Sequence, residues 1–314
     1  MGSNVKGALM ALLAFAIFSG HDVIVRLLGG DYSPVQILFF TSLMSFPLIT
    51  LMLVRDPTQG NLRPVHPWWI AARSVSMALV GLCAFYAFTV LPLAQVYAIL
   101  FASPLLITML AIPLLGEKVG LHRSLAVLVG MAGVIVVLRP GSTELGLGHA
   151  AAFLAAMFNA VQSIIARRIG SKERSVVMLL FPLATTFLMM GGALALTYEP
   201  MPLIDLGSMA VIALLGFIAS FFLVAAYTHA EAAIVAPMQY SQIIWAAFYG
   251  YVLFDELVDT TTILGTSIIV ASGLYIVVRE AAGGTSVETP VLRTRTRGFT
   301  PGAFRISVAL RRKS

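Results

Sequence analysis

The residues with chemistry to offer are few and grouped. His21 and Asp22 sit side by side in an otherwise apolar run, with Arg26 one helical turn further on. Asp22 and Arg26, at i and i+4, share a helix face and can pair. Histidine titrates near neutrality, so the cluster offers three uses: a structural ion pair, the polar wall of a binding cavity, or a protonation site that couples transport to a proton gradient. Asn159, Gln162 and Ser163 recur at i, i+3 and i+4 in a second apolar run. They serve either as hydrogen-bonding glue between helices or as a second polar wall. A third group, Met238, Gln239, Tyr240, Ser241, Gln242 and Trp245, follows Pro237. Gln242 and Trp245 are at i and i+3, with Met238 a turn earlier, and an indole beside amides suits an amphiphilic, often aromatic, solute. Tyr86, Tyr97 and Ser103 are further candidates for such a wall.

Enzyme signatures are missing. There is no HExxH, no GxSxG and no GxxxxGK phosphate loop, and the histidines at 21, 66, 122, 149 and 229 are not spaced as metal ligands. No catalytic residue, metal or cofactor is therefore expected. Cys83 is the single cysteine, which excludes a disulfide scaffold.

These groups must be positioned by elements suited to oil. Of 314 residues, 59% are hydrophobic and 11% charged, with a mean hydropathy of +0.94. A soluble domain has roughly 25% charged residues, so this composition cannot cover a water-facing surface. A nucleic-acid partner is excluded in spite of the net charge of +6, because eight basic residues against two acidic ones lie in the tail from Arg279 onward and leave no folded basic face. A span takes about 20 mainly apolar residues. Ten such runs are predicted, at 4–28, 33–54, 68–90, 93–115, 120–138, 147–169, 175–196, 206–229, 232–254 and 260–278. They are read as helices, because lipid offers backbone N–H and C=O groups no other partner, and the alternation of a membrane barrel is absent. The run after Lys6 has no small-residue cleavage site and is taken as the first span. With the N-terminus cytoplasmic, eighteen Lys and Arg fall on the cytoplasmic side and only Arg26 and Arg139 outside, so both termini are expected inside.

The chain repeats itself. Leu114-Leu115-Gly116-Glu117 closes the fourth run and Leu253-Phe254-Asp255-Glu256 the ninth; Arg26 matches Arg167, and His21 and Asp22 match Gln162 and Ser163. The unit is five spans, so the second copy enters the membrane from the opposite side. The expected divisions are a first repeat over 1–139, a second over 140–279, and a basic cytoplasmic tail over 280–314. Inverted repeats around a midplane cavity are the recurring plan of secondary transporters. Pro104 and Pro237 lie in corresponding runs and are candidate hinges, or simply packing kinks.

Two segments carry a family resemblance. Leu91–Gly120, LPLAQVYAILFASPLLITMLAIPLLGEKVG, resembles the fourth span of the drug/metabolite transporter superfamily, EamA type, and His229–Glu256, HAEAAIVAPMQYSQIIWAAFYGYVLFDE, resembles the matching span of the second EamA repeat. The resemblance implies an all-α integral membrane protein with ten transmembrane helices in two inverted five-helix repeats around a central cavity. It further implies an exporter in a bacterial inner membrane, most like the amino acid exporters of the YddG type. The chain departs from the family pattern in having Asp255 where Gly usually precedes the Glu, and Glu231 in the tight turn before the ninth span. The expected function is export of amino acids and similar small metabolites by alternating access. Two alternatives stay open: a carrier of another metabolite, nucleoside-like or vitamin-like, and a non-transporting membrane scaffold.

Overall fold

The structure is a computed structural model that describes residues 3–54, 62–116, 121–139, 145–170, 172–174, 176–230 and 232–282. Glu117, Glu231 and the tail beyond residue 282 lie outside the described residues. The secondary structure of the described residues is all helical: α1 (Ser3–Leu28), α2 (Pro34–Val54), α3 (Pro67–Val90), α4 (Leu93–Leu100), α5 (Ser103–Leu115), α6 (Leu121–Leu138), α7 (Leu147–Ile169), α8 (Val177–Thr197), α9 (Leu203–His229), α10 (Ala232–Val235), α11 (Gln242–Phe254) and α12 (Thr260–Ala282). Pairs α4/α5 and α10/α11 each make one span, giving ten. Leucine and phenylalanine side chains such as Leu128, Leu188, Leu196 and Phe248 are exposed around the bundle. On a surface facing hydrocarbon that exposure costs nothing.

The packing expresses the repeat. α1 lies along α9 and α3 along α7, while α6 crosses α12 and α2 packs on α8. Exchanging the two five-span repeats turns the first pair into the second and returns the other two pairs to themselves. Small residues let these helices approach. Ala11 and Ala14 meet Ala219 and Ala226 in the α1–α9 seam. Where α6 crosses α12, a Cβ on Gly265 would stand 2.7 Å from the Gly133 carbonyl oxygen, and one on Gly133 would stand 2.9 Å from that of Gly265.

Both interrupted spans resume their α-helix at related positions. α5 begins at Ser103 and α11 at Gln242, a separation of 139 residues, the same as between Glu117 and Glu256. The interruptions follow from proline. Pro104 supplies no N–H to the Leu100 carbonyl, and Pro237 tightens Ala236–Ser241 into a 3₁₀ turn.

The two C-terminal caps are also equivalent. Gly116 (φ +69) ends α5 and Asp255 (φ +53) ends α11, both left-handed. Replacement of the usual glycine has not changed the turn, because aspartate tolerates this conformation better than most residues. It retains a steric cost that glycine would not carry. Asp255→Gly is therefore expected to stabilise the folded protein by roughly 1 kcal/mol and to raise the thermal midpoint in detergent. Gly265→Ala is expected to lower it, because its Cβ has no space at the α6–α12 crossing.

Candidate functional site

The broken spans and α1 converge on a cavity of about 200 Å³ between the repeats. The first repeat contributes His21, Asp22, Tyr97 and Ser103, and the second contributes Asn159, Gln239 and Gln242, with Pro104 at the kink. The rings of Phe18, Phe85, Phe88 and Phe101 complete much of the wall.

Two hydrogen-bond networks hold the polar side chains. In the first, the buried Asp22 carboxylate accepts the Tyr97 hydroxyl, and its other oxygen lies 2.8 Å from His21 Nδ1. Tyr97 also reaches Ser19 Oγ at 3.5 Å and is approached by Gln242 Nε2 at 3.5 Å, so helices of both repeats meet at one phenol. In the second, Asn159 Nδ2 donates to Ser103 Oγ at 2.8 Å, Ser103 donates to the Ala156 carbonyl at 3.2 Å, and Gln162 Nε2 donates to Asn159 Oδ1 at 2.9 Å and to Ser163 Oγ at 3.3 Å. Ser103 and Gln242, one in each network, are the two repeat-related residues that open α5 and α11.

The remaining sequence candidates sit elsewhere. Gln162 and Ser163 are buried behind Asn159 as supports and do not line the cavity. Tyr86, Met238, Pro237 and Trp245 do not line it either. For Trp245 the reason is register. The inward seam of α11 runs Gln242–Ala246–Gly250 at i+4 spacing, which leaves the indole half-buried beside the exposed Ile244 and Phe248. The pairing expected between Asp22 and Arg26 gives way to a long-range one. Both terminal nitrogens of Arg26 bond Glu256, and the guanidinium stacks over Phe254 at 4.3 Å.

Sequence reading passed over Thr41, Ser42 and Ser45 of α2, which line the cavity. Their i, i+1, i+4 spacing in an apolar run was the available signal. The Thr41 hydroxyl is buried and has no hydrogen-bond partner among the described residues. Arg73, counted above only as a positive charge, is almost wholly buried and ties α3 to α8 by donating to the Met178 carbonyl at 2.6 Å. Among the described residues no three His, Cys, Asp or Glu side chains gather as a metal site.

At the end of the bundle away from the N-terminus, the repeats are clasped together. Besides Arg26–Glu256, Arg139 pairs with Asp259 and Tyr32 donates to Asp205 at 2.5 Å. Gln36 exchanges two bonds with the Glu199 backbone, at 2.7 and 2.8 Å, and Gln95 meets His149 at 3.0 Å. Each contact joins the first repeat to the second. The hydrogen bond to Asp205 pushes the Tyr32 hydroxyl from 10.0 up to about 12. That bond is therefore whole below pH 10 and is lost as the pH climbs through 12. At the opposite end the Glu173 carboxylate accepts the backbone N–H groups of Val65 and His66, at 3.1 and 2.5 Å, ahead of α3.

An inverted repeat of ten helices around a cavity lined by polar groups of both halves defines a membrane transporter of small metabolites, not an enzyme. The EamA-like transporter family model matches residues 5–139 and 146–278, once in each repeat, and the chain belongs to that family. It is 27% identical over 278 residues to an S-adenosylmethionine uptake transporter of Rickettsia prowazekii (strain Madrid E), covering 88% of this chain and 94% of the relative. It is likewise 27% identical over 272 residues to the pseudopaline exporter CntI of Pseudomonas aeruginosa (strain UCBPP-PA14), covering 85% and 94%. A solved crystal structure superposes with a TM-score of 0.58 at 19% identity, covering 89% of this chain and 97% of the other, a likeness of fold.

The clasp can be measured. Removing one partner of a largely buried ion pair leaves an uncompensated charge, so the single change costs more than the double change implies. A double-mutant cycle with Arg26→Met and Glu256→Gln, read by thermal unfolding in detergent, is expected to give a coupling of about 1–3 kcal/mol. Coupling near zero would show that the pair does not hold the two repeats together.

Proposed function

We propose that this chain is a secondary carrier that exports amino acids, aromatic ones among them, and related small metabolites by alternating access. Its setting would be a bacterial inner membrane with both termini cytoplasmic. The observation that carries this reading is the cavity itself. It lies between the repeats and takes polar groups from each, and the Thr41 hydroxyl in its wall has no partner among the described residues.

On this reading cargo is held by His21, Asp22, Tyr97, Ser103, Asn159, Gln239 and Gln242 and packs on the phenylalanine rings. The distribution of Lys and Arg supports an external far end, and the clasp of Arg26–Glu256, Arg139–Asp259 and Tyr32–Asp205 would then shut the external mouth. A second reading, a cargo with a nucleoside part, is favoured by the S-adenosylmethionine uptake transporter among the relatives. Size weighs against it. Sites for drug-sized ligands occupy roughly 300–1,000 Å³, and this cavity has about 200 Å³.

Proteoliposomes loaded with labelled phenylalanine, threonine or methionine test the proposal. Saturable efflux is expected, with KM raised about tenfold by Gln242→Ala, a loss of roughly 1.4 kcal/mol. Trp245→Ala is expected to leave KM within about twofold, because the indole lies off the cavity. Absence of saturable flux with any of these solutes would overturn amino acid export. Saturable flux of S-adenosylmethionine in its place would establish the second reading.

A further inference from the structure

We infer that Glu173 is the latch of the mouth opposite the Arg26–Glu256 clasp, and does for the second repeat what Tyr32 does for the first. This rests on the carrier reading for its purpose and names the residue that holds the second mouth shut.

Two equivalent turns carry the inference. α1 ends at Leu28 and α7 at Ile169, 141 residues apart. The chain then turns in the same way twice. The N–H groups of Asp31 and Tyr32 bond the Leu28 carbonyl at 3.1 and 2.9 Å, and those of Lys172 and Glu173 bond the Ile169 carbonyl at 2.9 and 3.0 Å. Tyr32 and Glu173 are therefore repeat-related and sit at opposite ends of the bundle. Each reaches into the other repeat and meets the start of its third span. Tyr32 donates to Asp205 in the first turn of α9. Glu173 accepts the N–H groups of Val65 and His66 just ahead of α3, and His66 Nδ1 lies 3.2 Å from the same carboxylate. A phenol in one repeat and a carboxylate in the other thus tie corresponding places together.

The Glu173 side chain is only 1% exposed. A buried carboxylate is tolerable here because it meets N–H groups at the positive end of a helix. Water can replace those partners once the end opens, so the contact can break without stranding a charge. The helices behind the two turns are ones that face the void. α2 follows Tyr32 and α8 follows Glu173, and Thr41 and Ser45 of the first and Leu179 and Leu183 of the second line the cavity. Each also contains a proline, Pro47 or Pro182, at which a helix bends readily. Pro182 brings no N–H to the Met178 carbonyl, and the buried Arg73 of α3 donates to it instead at 2.6 Å. The start of α8 is thus fastened to α3 at two points, Glu173 and Met178. Release of both frees its first turn to swing about Pro182 and open the cavity at that end.

The test reads access to the cavity in the full chain. Thr41→Cys places a thiol in the cavity wall, in a background with Cys83→Ala. A charged, membrane-impermeant methanethiosulfonate is applied to right-side-out and to inside-out membrane vesicles. Glu173→Ala is expected to speed labelling from the face that carries Glu173 at least about fivefold relative to the other face. Tyr32→Phe is expected to shift the ratio about twofold or more in the opposite sense, whichever face is cytoplasmic. Thermal unfolding checks that each variant has folded, and Glu173→Gln, which keeps an uncharged acceptor, is expected to shift the ratio less than Glu173→Ala. An unchanged ratio in folded Glu173→Ala, or a shift in the same sense as Tyr32→Phe, would overturn the inference. Loss of fold in both Glu173 variants would do so too, by making the carboxylate a structural cap. The labelling needs no cargo, which separates the latch from the carrier reading. Shifted access without flux of any solute leaves the latch and removes transport, whereas saturable flux with unshifted access removes the latch alone.

Discussion

Oil offers no hydrogen bonds, and every feature of this protein answers to that fact. The backbone answers by crossing in helices, since a helix satisfies its own N–H and C=O groups. Side chains answer by pairing in small closed sets. Ser103, Asn159 and Gln162 form one, and Asp22, His21 and Tyr97 form another. One buried hydroxyl that faces the cavity, that of Thr41, has no partner among the described residues. The polar groups of the interior thus divide into those that hold helices together and those that face space, and the second set marks where a solute can sit.

The inverted repeat determines where that space lies. Helix pairs that map onto themselves under the exchange of repeats, α2 with α8 and α6 with α12, straddle the pseudo-axis. The α6–α12 pair closes with glycine against glycine and leaves no room for side chains, let alone a solute. The two spans interrupted by proline pack against that pair and cannot do so as continuous rods. The void opens beyond them, next to Asp22, and residues of α2 and α8 line it as well.

Much of this was legible in the residues. Ten apolar runs become ten spans, because a membrane helix must bury its whole length and its hydropathy is correspondingly plain. The repeat was legible too, since Gly116-Glu117 and Asp255-Glu256 mark equivalent helix ends, and the left-handed Asp255 keeps the turn that Gly116 makes. The partners of charged groups were not. Arg26 has Asp22 four residues away, yet its partner is Glu256, 230 residues on. Local spacing says which pairs can form, while tertiary approach decides which do. Trp245 failed to reach the cavity for a related reason. Helical spacing puts it near Gln242, but the buried seam of α11 runs through Ala246 and Gly250 and leaves the indole to one side. Arg73 gave no signal at all, because an arginine near the end of a span usually lies in headgroups rather than under a neighbouring helix.

The two prolines show how an imperfect repeat can still give a matched pair of levers. Pro104 and Pro237 are not at aligned positions, so sequence comparison alone makes them unrelated kinks. Their consequences converge, because each interruption ends where an α-helix resumes toward its cap, at Ser103 and at Gln242. Both residues touch the cavity, and the stiff helices that follow run to Gly116 and to Asp255 at opposite ends of the bundle. Glu256, the residue after the second cap, carries the clasp to Arg26. A solute that alters the bonding of Gln242 or Tyr97 therefore acts at one end of a 13-residue helix whose other end is tied across the repeats. This path links the cavity to the clasped end of the bundle. It runs through packed side chains and one rigid helix, with no loop along it.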